Sequence, residues 1–357
     1  LVDMRADLLS LRASKPELAA LDHDLKTLLA TWFDVGLLSV ERISWQSSAA
    51  LLEKLMAYEA VHAISSWNDL HNRLESDRRC YAFFHPGMSD EPLIFIEVAL
   101  VEGLATSIQE LLDESAPDTD PREADTAIFY SISNTQKGLQ GISFGPFLIK
   151  QVVTSLSQEL PNLKTFSTLS PLPGFRRWLT TYIEAARSGE TRDPMLDAID
   201  EAARLLDTAT ELDAVLNTPD WWQNQDVTAI LKDPLLSLCA RYLHEHRDKD
   251  QAPLDPVARF HLGNGARIER IDWLGDISAK GMRESCGFMV NYLYHLKEME
   301  QNIEAYATSR EIAAAKQVRN LLRDDEDEKG QLTRLRRLIS LRRGNGSGNS
   351  AQSGTSP

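Results

Sequence analysis

Three stretches of this chain carry residues whose types and placing could do chemistry. The first, TFSTLSPLPGFRRWL at 165–179, ends an apolar run on Ser170 and then breaks at Pro171, Pro173 and Gly174. Proline cannot donate to a sheet ladder and biases the residue before it toward extended backbone, so Ser170 is expected at a strand end. A serine there either caps the next helix, with Pro171 at its first position, or is held out to hydrogen-bond a ligand. It does not sit in a G-x-S-x-G elbow, which argues against an α/β-hydrolase. The second stretch, ARFHLGNGA at 258–266, puts His261 where a short helix stops at glycines. Imidazole titrates near neutral pH and can move a proton, but on position alone a structural role suits it better, because the sequence shows no partner. The third, QKGLQGISFG at 136–145, places Gly138, Gly141 and Gly145 between a strand and a helix opened by Pro146. Backbone N–H groups of such a loop can face an anion. Its spacing is neither the Rossmann fingerprint nor a Walker loop, so plain turn chemistry stays open, with Lys137 and Lys150 flanking it.

The remaining candidates are weaker. His244 and His246 fall near a helix end and His62 reads as structural; the absence of H-E-x-x-H argues against a zinc hydrolase. Cys80, Cys239 and Cys286 are far apart with no C-x-x-C pair, which reads as buried, inert thiols in a reducing compartment and no metal site.

These residues must be positioned by an α/β framework. The interval 126–133 reads as a buried strand, 134–145 as the glycine loop, the segment from Pro146 as an amphipathic helix and 162–170 as another strand. Strand, loop, helix, strand is a βαβ unit, so the two strands are expected to be parallel. Ahead of it, 80–85 and 93–100 look like an antiparallel pair, and leucines at helical spacing make 1–39 helical, with short helices at 51–56 and 66–74. Behind it, 185–249 is helical, with Trp221–Trp222 in a loop and a helix started by Asp233–Pro234; 266–273 and 288–295 are late strands, and one helical segment covers about 297–324. An acidic run at 323–329 leads into a basic amphipathic helix, and 344–357 is a Gly/Ser/Asn-rich tail expected to be disordered. A net charge of -15 argues against general nucleic-acid or anionic-membrane binding, and no apolar run approaches the ~18 residues of a membrane span.

These segments resemble the malonyl-CoA decarboxylase family. The resemblance is carried by YEAVHAISSWNDL, DRRCYAFFHP, EPLIFIEVAL, AIFYSIS, QKGLQGISFG, FLIKQVV, FSTLSPLPGF, DPVARFHLGNGA, DWLGDIS and SCGFMVNYLY, in order over about residues 40–300. It implies a domain organisation: 1–39 as the remnant of an all-helical oligomerisation domain, then 40–343 as an α/β (α+β) GNAT-like, that is N-acetyltransferase-like, catalytic domain with a mixed sheet and a helical insertion at about 185–249. In that fold the glycine loop holds the CoA pyrophosphate, and the next strand splays away so that the pantetheine arm passes between. The family's catalytic serine falls on Ser170, the histidine of its FHLxNGA motif on His261 and the tyrosine of NYxY on Tyr294. Its loop motif falls on Gln140, Gly141, Ile142, Ser143, Phe144, Gly145 and Pro146, and the serine of FYSIS on Ser131.

The activity so implied is decarboxylation of malonyl-CoA to acetyl-CoA and CO2 without metal, biotin or pyridoxal phosphate. Ser170 would hold the carboxylate, helped by Tyr294, His261 would protonate the carbanion, and Ser131 or backbone N–H groups would serve the enolate oxygen. Some family members carry an acidic residue where this chain has Ser143, so no carboxylate role transfers to that position. The resemblance further implies a homo-oligomer where the helical domain is complete. A bacterial-type cytoplasmic location is expected, with mitochondria or peroxisomes left open by a chain that starts on Leu1; it ends in TSP, not the S-K-L address. Two rival readings are a CoA-dependent N-acyltransferase on the same fold and a non-catalytic acyl-CoA-binding module.

Overall fold

The computed structural model describes residues 1–12, 14–142, 144–189, 193–244 and 251–322. The acidic run, the basic helix and the tail expected after 322 lie outside the described residues, as do Ser143 and His246. The chain forms two compact units. One comprises Leu1–Pro171, Arg259–Asp276 and Met289–Ala313; the other comprises Leu172–Ala258, Ile277–Phe288 and the chain from Ala314.

The first unit is built on a mixed sheet of eight strands: β1 Ser39–Ile43, β2 Arg78–Phe84, β3 Ile94–Val101, β4 Thr126–Asn134, β5 Thr165–Thr168, β6 Ser170–Pro171, β7 Arg267–Asp272 and β8 Met289–Leu293. Their order is β1-β2-β3-β4-β5-β8-β6, with β7 on β8. Every pairing is antiparallel except β4 with β5, so the βαβ unit expected from the sequence is present. The helices that bear on the site are α1 Val2–Arg12, α2 Ala19–Trp32, α3 Gly145–Glu159 and α4 Pro256–Gly263.

Alternation places the side chains. Cys80, Ala82 and Phe84 of β2 and Phe95 of β3 join Leu52, Leu55 and Leu70 in one core cluster under the helices Ala49–Tyr58 and Trp67–Asn72. Ile96 and Ile132 belong to a cleft shared with Leu148 and Ile149 of α3. Between Glu97 and Val98 the register shifts: Glu97 faces Ser131 and Val98 faces Phe129, which leaves Tyr130 as an extra residue on β4. A bulge of this kind bends its strand. The β4–β5 ladder ends at Phe129↔Thr168, one residue before the bulge, and the rest of β4 pairs only with β3. The two strands therefore part beyond Phe129, the separation that the resemblance implies. Glu97 is fully buried opposite this bulge, with its carboxylate 3.1 Å from Arg73 Nη1.

Four local expectations change. One helix over 1–39 becomes two helices followed by β1, whose SVERI residues are mostly exposed at the sheet edge and so lack a strand's apolar alternation. The strand expected through Ser170 breaks after Thr168; Ser170 then pairs with Val290 of β8 as part of β6. Ser170 does not cap the following helix, which starts at Phe175 behind Gly174. The segment near 297–324 is two helices, Met299–Ser309 and Lys316–Asn320, because Arg310 turns left-handed at φ 55°.

In the second unit Phe175–Ser188, Pro194–Leu206 and Gln225–His244 are the main helices. Pro234 lies inside the last of these instead of starting it. Asn224 Oδ1 accepts the Asp226 and Val227 N–H groups at the true start. Burial of Val227, Ile230 and Leu231 upstream outweighs the ~3 kcal/mol that an internal proline costs. The buried Asp255 accepts the N–H groups of Val257 and Ala258, both at 2.9 Å, capping the first turn of α4.

Candidate functional site

Ser170, His261 and Tyr294 meet, although 91 and 33 residues separate them along the chain. Ser170 Oγ lies 3.1 Å from His261 Nε2, and His261 Nδ1 lies 2.7 Å from the Tyr294 hydroxyl. All three are buried, between 2% and 6% exposed.

Each is fixed by its element. The pairing of Ser170 with Val290 sets the serine's height on the sheet. His261 is in the last turn of α4, where Ala266 N–H returns to the His261 carbonyl at 3.1 Å. That return needs Gly265, at φ 83°; a Cβ there would also lie 2.5 Å from the Met299 carbonyl oxygen. Tyr294 follows β8 directly, tied by its N–H to the Phe166 carbonyl at 2.8 Å. Two residues earlier and thus on the same face, Tyr292 stacks on the imidazole with centroids 4.6 Å apart and planes 23° apart.

Sequence reading missed Thr168. It is fully buried, receives the Ser170 hydroxyl at 2.9 Å and accepts the Tyr292 N–H at 3.1 Å. Its i, i+2 spacing from Ser170 was the available signal, since alternate residues of an extended segment share a face. Asn291 Nδ2 donates to the Thr168 carbonyl at 2.7 Å and holds that turn in place. With Ser170 donating to Thr168, Nε2 of a neutral imidazole carries the proton toward Ser170, and Nδ1 accepts from Tyr294.

Burial holds His261 down at about 3, so the imidazole is neutral at physiological pH, which corrects the expectation that it titrates near neutrality. Burial likewise pushes the Tyr294 phenol well above its ordinary value.

Ser131 is placed elsewhere. It lies on the opposite face of β4 from Ile132, and its hydroxyl donates to the buried Glu59 carboxylate at 2.7–2.8 Å. Glu59 also accepts Ser133 and the N–H groups of Val61 and His62. The structure does not bring the Ser131 hydroxyl to Ser170.

The loop residues line a cleft of about 260 Å³. Gly141, Ile142 and Phe144 wall it together with Asn134, Ile132 and Phe260, the neighbour of His261. A second hollow shares Asn134, Gly141, Ile142 and Phe144 and adds Lys137 and Gln140. Gly145 and Pro146 begin α3, Pro in its first turn as expected. Among the described residues no three His, Cys, Asp or Glu side chains are grouped to hold a metal ion. No described helix is long and apolar enough to cross a membrane.

The family model described as malonyl-CoA decarboxylase C-terminal domain matches residues 36–332, and that of the N-terminal domain matches residues 1–33. The mitochondrial malonyl-CoA decarboxylase of Anser anser anser is 40% identical over 328 residues, 89% of this chain, and that of Mus musculus 39% over 335 residues, 90% of it. The chain spans 65% and 67% of the length of those two relatives. The crystal structure of malonyl-CoA decarboxylase from Rhodopseudomonas palustris shares 47% identity at a TM-score of 0.79, over 89% of this chain and 74% of that one. The one from Agrobacterium vitis shares 47% at 0.80, over 90% and 75%. With a family model covering most of its length, the chain belongs to the malonyl-CoA decarboxylase family.

Proposed function

We propose that this chain decarboxylates malonyl-CoA to acetyl-CoA and CO2 through a thioester enolate. The observation that carries the reading is the buried Thr168–Ser170–His261–Tyr294 hydrogen-bond chain. Phe260, beside its histidine, walls the same cleft as the glycine loop.

The chemistry needs a held carboxylate, an electron sink and a proton. The sink is the substrate's own thioester carbonyl, so the reading requires no cofactor. Ser170, stiffened by Pro171 and Pro173, turns its hydroxyl from Thr168 to the substrate and holds the carboxylate with its C–C bond across the carbonyl plane. As that bond breaks, its electron pair enters the thioester as an enolate and CO2 leaves. The enolate carbon then takes the Nε2 proton of His261. Tyr294 lends its hydroxyl proton to Nδ1 as this happens; uptake of a proton from water at Nε2 and return of the Nδ1 proton to the phenolate restore the starting tautomer. A neutral imidazole suits this order, because an imidazolium beside the carboxylate would stabilise the ground state more than the transition state.

The same reading places the reaction in a bacterial-type cytoplasm, supported by identity of 47% to bacterial structures against 40% to a mitochondrial relative. Homo-oligomerisation through the helical domain is supported by the N-terminal family match at 1–33. The test is to incubate the protein with malonyl-CoA, with and without amines. Acetyl-CoA and CO2 formed at the same rate in both is the expected result. Malonyl-amide formed only with amine would replace this reading by N-acyl transfer.

A further inference from the structure

The loop that walls the cleft is braced from outside by the N-terminal helices. Arg5 of α1 is only 2% exposed. Its Nη1 donates to the carbonyls of Gly138 at 2.6 Å and Gln140 at 3.0 Å, and its Nε to Asp22 of α2 at 2.9 Å. The other Asp22 oxygen accepts Arg12 at 2.5 Å, which locks α1 to α2. Gly138 is pressed against α1 so closely that a Cβ would lie 1.9 Å from the Val2 carbonyl oxygen.

This brace has a consequence for the cleft. In a trans peptide the C=O and the next N–H point opposite ways, so a Gln140 carbonyl turned to Arg5 turns the Gly141 N–H away from it. Among the described residues that N–H has no partner, and Gly141 lines the cleft. Gly141 is held at φ 78°, and Lys26 Nζ of α2 lies 3.1 Å from where its Cβ would be. Among the described residues no carboxylate pairs with Lys26. A backbone donor and an unpaired ammonium thus sit together at the loop, both placed by the helical pair.

We propose that the helices α1 and α2 are part of the acyl-CoA site, with Lys26 a direct ligand of the diphosphate and Arg5 a positioning residue that orients the Gln140–Gly141 peptide toward it. This rests on the acyl-CoA reading above. It makes the helical segment a substrate-binding element in addition to any role in assembly.

The test compares wild type, Lys26→Gln, Lys26→Arg and Arg5→Lys in the full chain, with circular dichroism to show that each folds. Calorimetry gives Kd for CoA, dephospho-CoA and pantetheine, and steady-state kinetics with malonyl-CoA separate KM from kcat. Lys26→Gln is expected to weaken CoA and dephospho-CoA about tenfold each, from the usual worth of a charged hydrogen bond, while pantetheine changes less than about twofold. Lys26→Arg restores most of that loss. Arg5→Lys raises KM much more than it lowers kcat and shifts the Gly141 amide NMR resonance; if it fails to fold, the Lys26 pair decides alone. Dephospho-CoA bound by Lys26→Gln as tightly as by wild type overturns the proposal, and so does an equal loss for pantetheine. If wild type binds CoA and Lys26→Gln loses that affinity, but no acetyl-CoA forms, the site stands and the decarboxylase reading falls. Acetyl-CoA formation with an unchanged KM in Lys26→Gln does the opposite: decarboxylation stands and Lys26 is no diphosphate ligand.

Discussion

A neutral, buried His261 has a thermodynamic signature. With its folded-state value held at about 3 and an ordinary value of 6.5, the imidazole is unprotonated in the folded chain through a range where the unfolded chain takes up a proton. The unfolded state then binds more protons, so stability rises with pH across this window and is lost as pH falls below about 6.5. Each pH unit well below 6.5 costs the folded chain about 1.4 kcal/mol, which gives about 0.8 kcal/mol at pH 6 and about 2 kcal/mol at pH 5. His261→Asn removes the titration while leaving an amide to meet Tyr294 and Ser170. At pH 7 the variant is expected to be less stable than wild type, by about 1–3 kcal/mol for the disturbed buried hydrogen bonds. That gap should shrink by about 2 kcal/mol between pH 7 and pH 5. Urea unfolding of both proteins at half-unit pH intervals, reported as the difference between them, reads this directly and cancels other titrating groups. A difference that stays flat from pH 7 to pH 5 would refute a neutral, desolvated histidine, and nitrogen NMR showing the ring protonated on both nitrogens at pH 6 would do the same.

Three further outcomes follow from the geometry. Tyr294→Phe deletes the 2.7 Å partner of Nδ1 and is expected to lower kcat about 10²-fold, within the range for a proton-transfer group, with KM little changed; steady-state kinetics check it. Ser131→Ala should destabilise the fold by about 1–3 kcal/mol, because it strips a donor from the buried Glu59 carboxylate, yet cost far less than the ~10²–10³ in kcat expected of an oxyanion donor. Paired denaturation and rate measurements separate the two effects. Decarboxylation should survive extensive dialysis against EDTA at its original rate, and loss of activity restored by added metal would show that the thioester sink is not enough.

What the sequence disclosed and what it hid divide along physical lines. The βαβ unit and the antiparallel strand pair were legible because period and turn residues are local properties, and they are present as β4–α3–β5 and β2–β3. Pro234 misled because burial of Val227, Ile230 and Leu231 overrides a propensity read one residue at a time. β1 was missed because an exposed edge strand carries little apolar pattern. At the site, local rules make Ser170 a helix cap, and only its pairing in β6 against β8 removes that reading; Thr168 is not legible because its value lies in accepting a hydroxyl two residues on. The link from Arg5 to Gly138 and Gln140 spans more than 130 residues and could not be read from spacing at all.

Ser170 and His261 are proposed to act together on a malonyl thioester. The most direct measurement is product formation from carboxyl-labelled malonyl-CoA in D2O, by wild type and by Ser170→Ala. Wild type is expected to give labelled CO2 and acetyl-CoA carrying one solvent deuteron in its methyl group, with the rate in Ser170→Ala down at least about 10²-fold. No acetyl-CoA from a folded wild type, or an undiminished rate in Ser170→Ala, would contradict it.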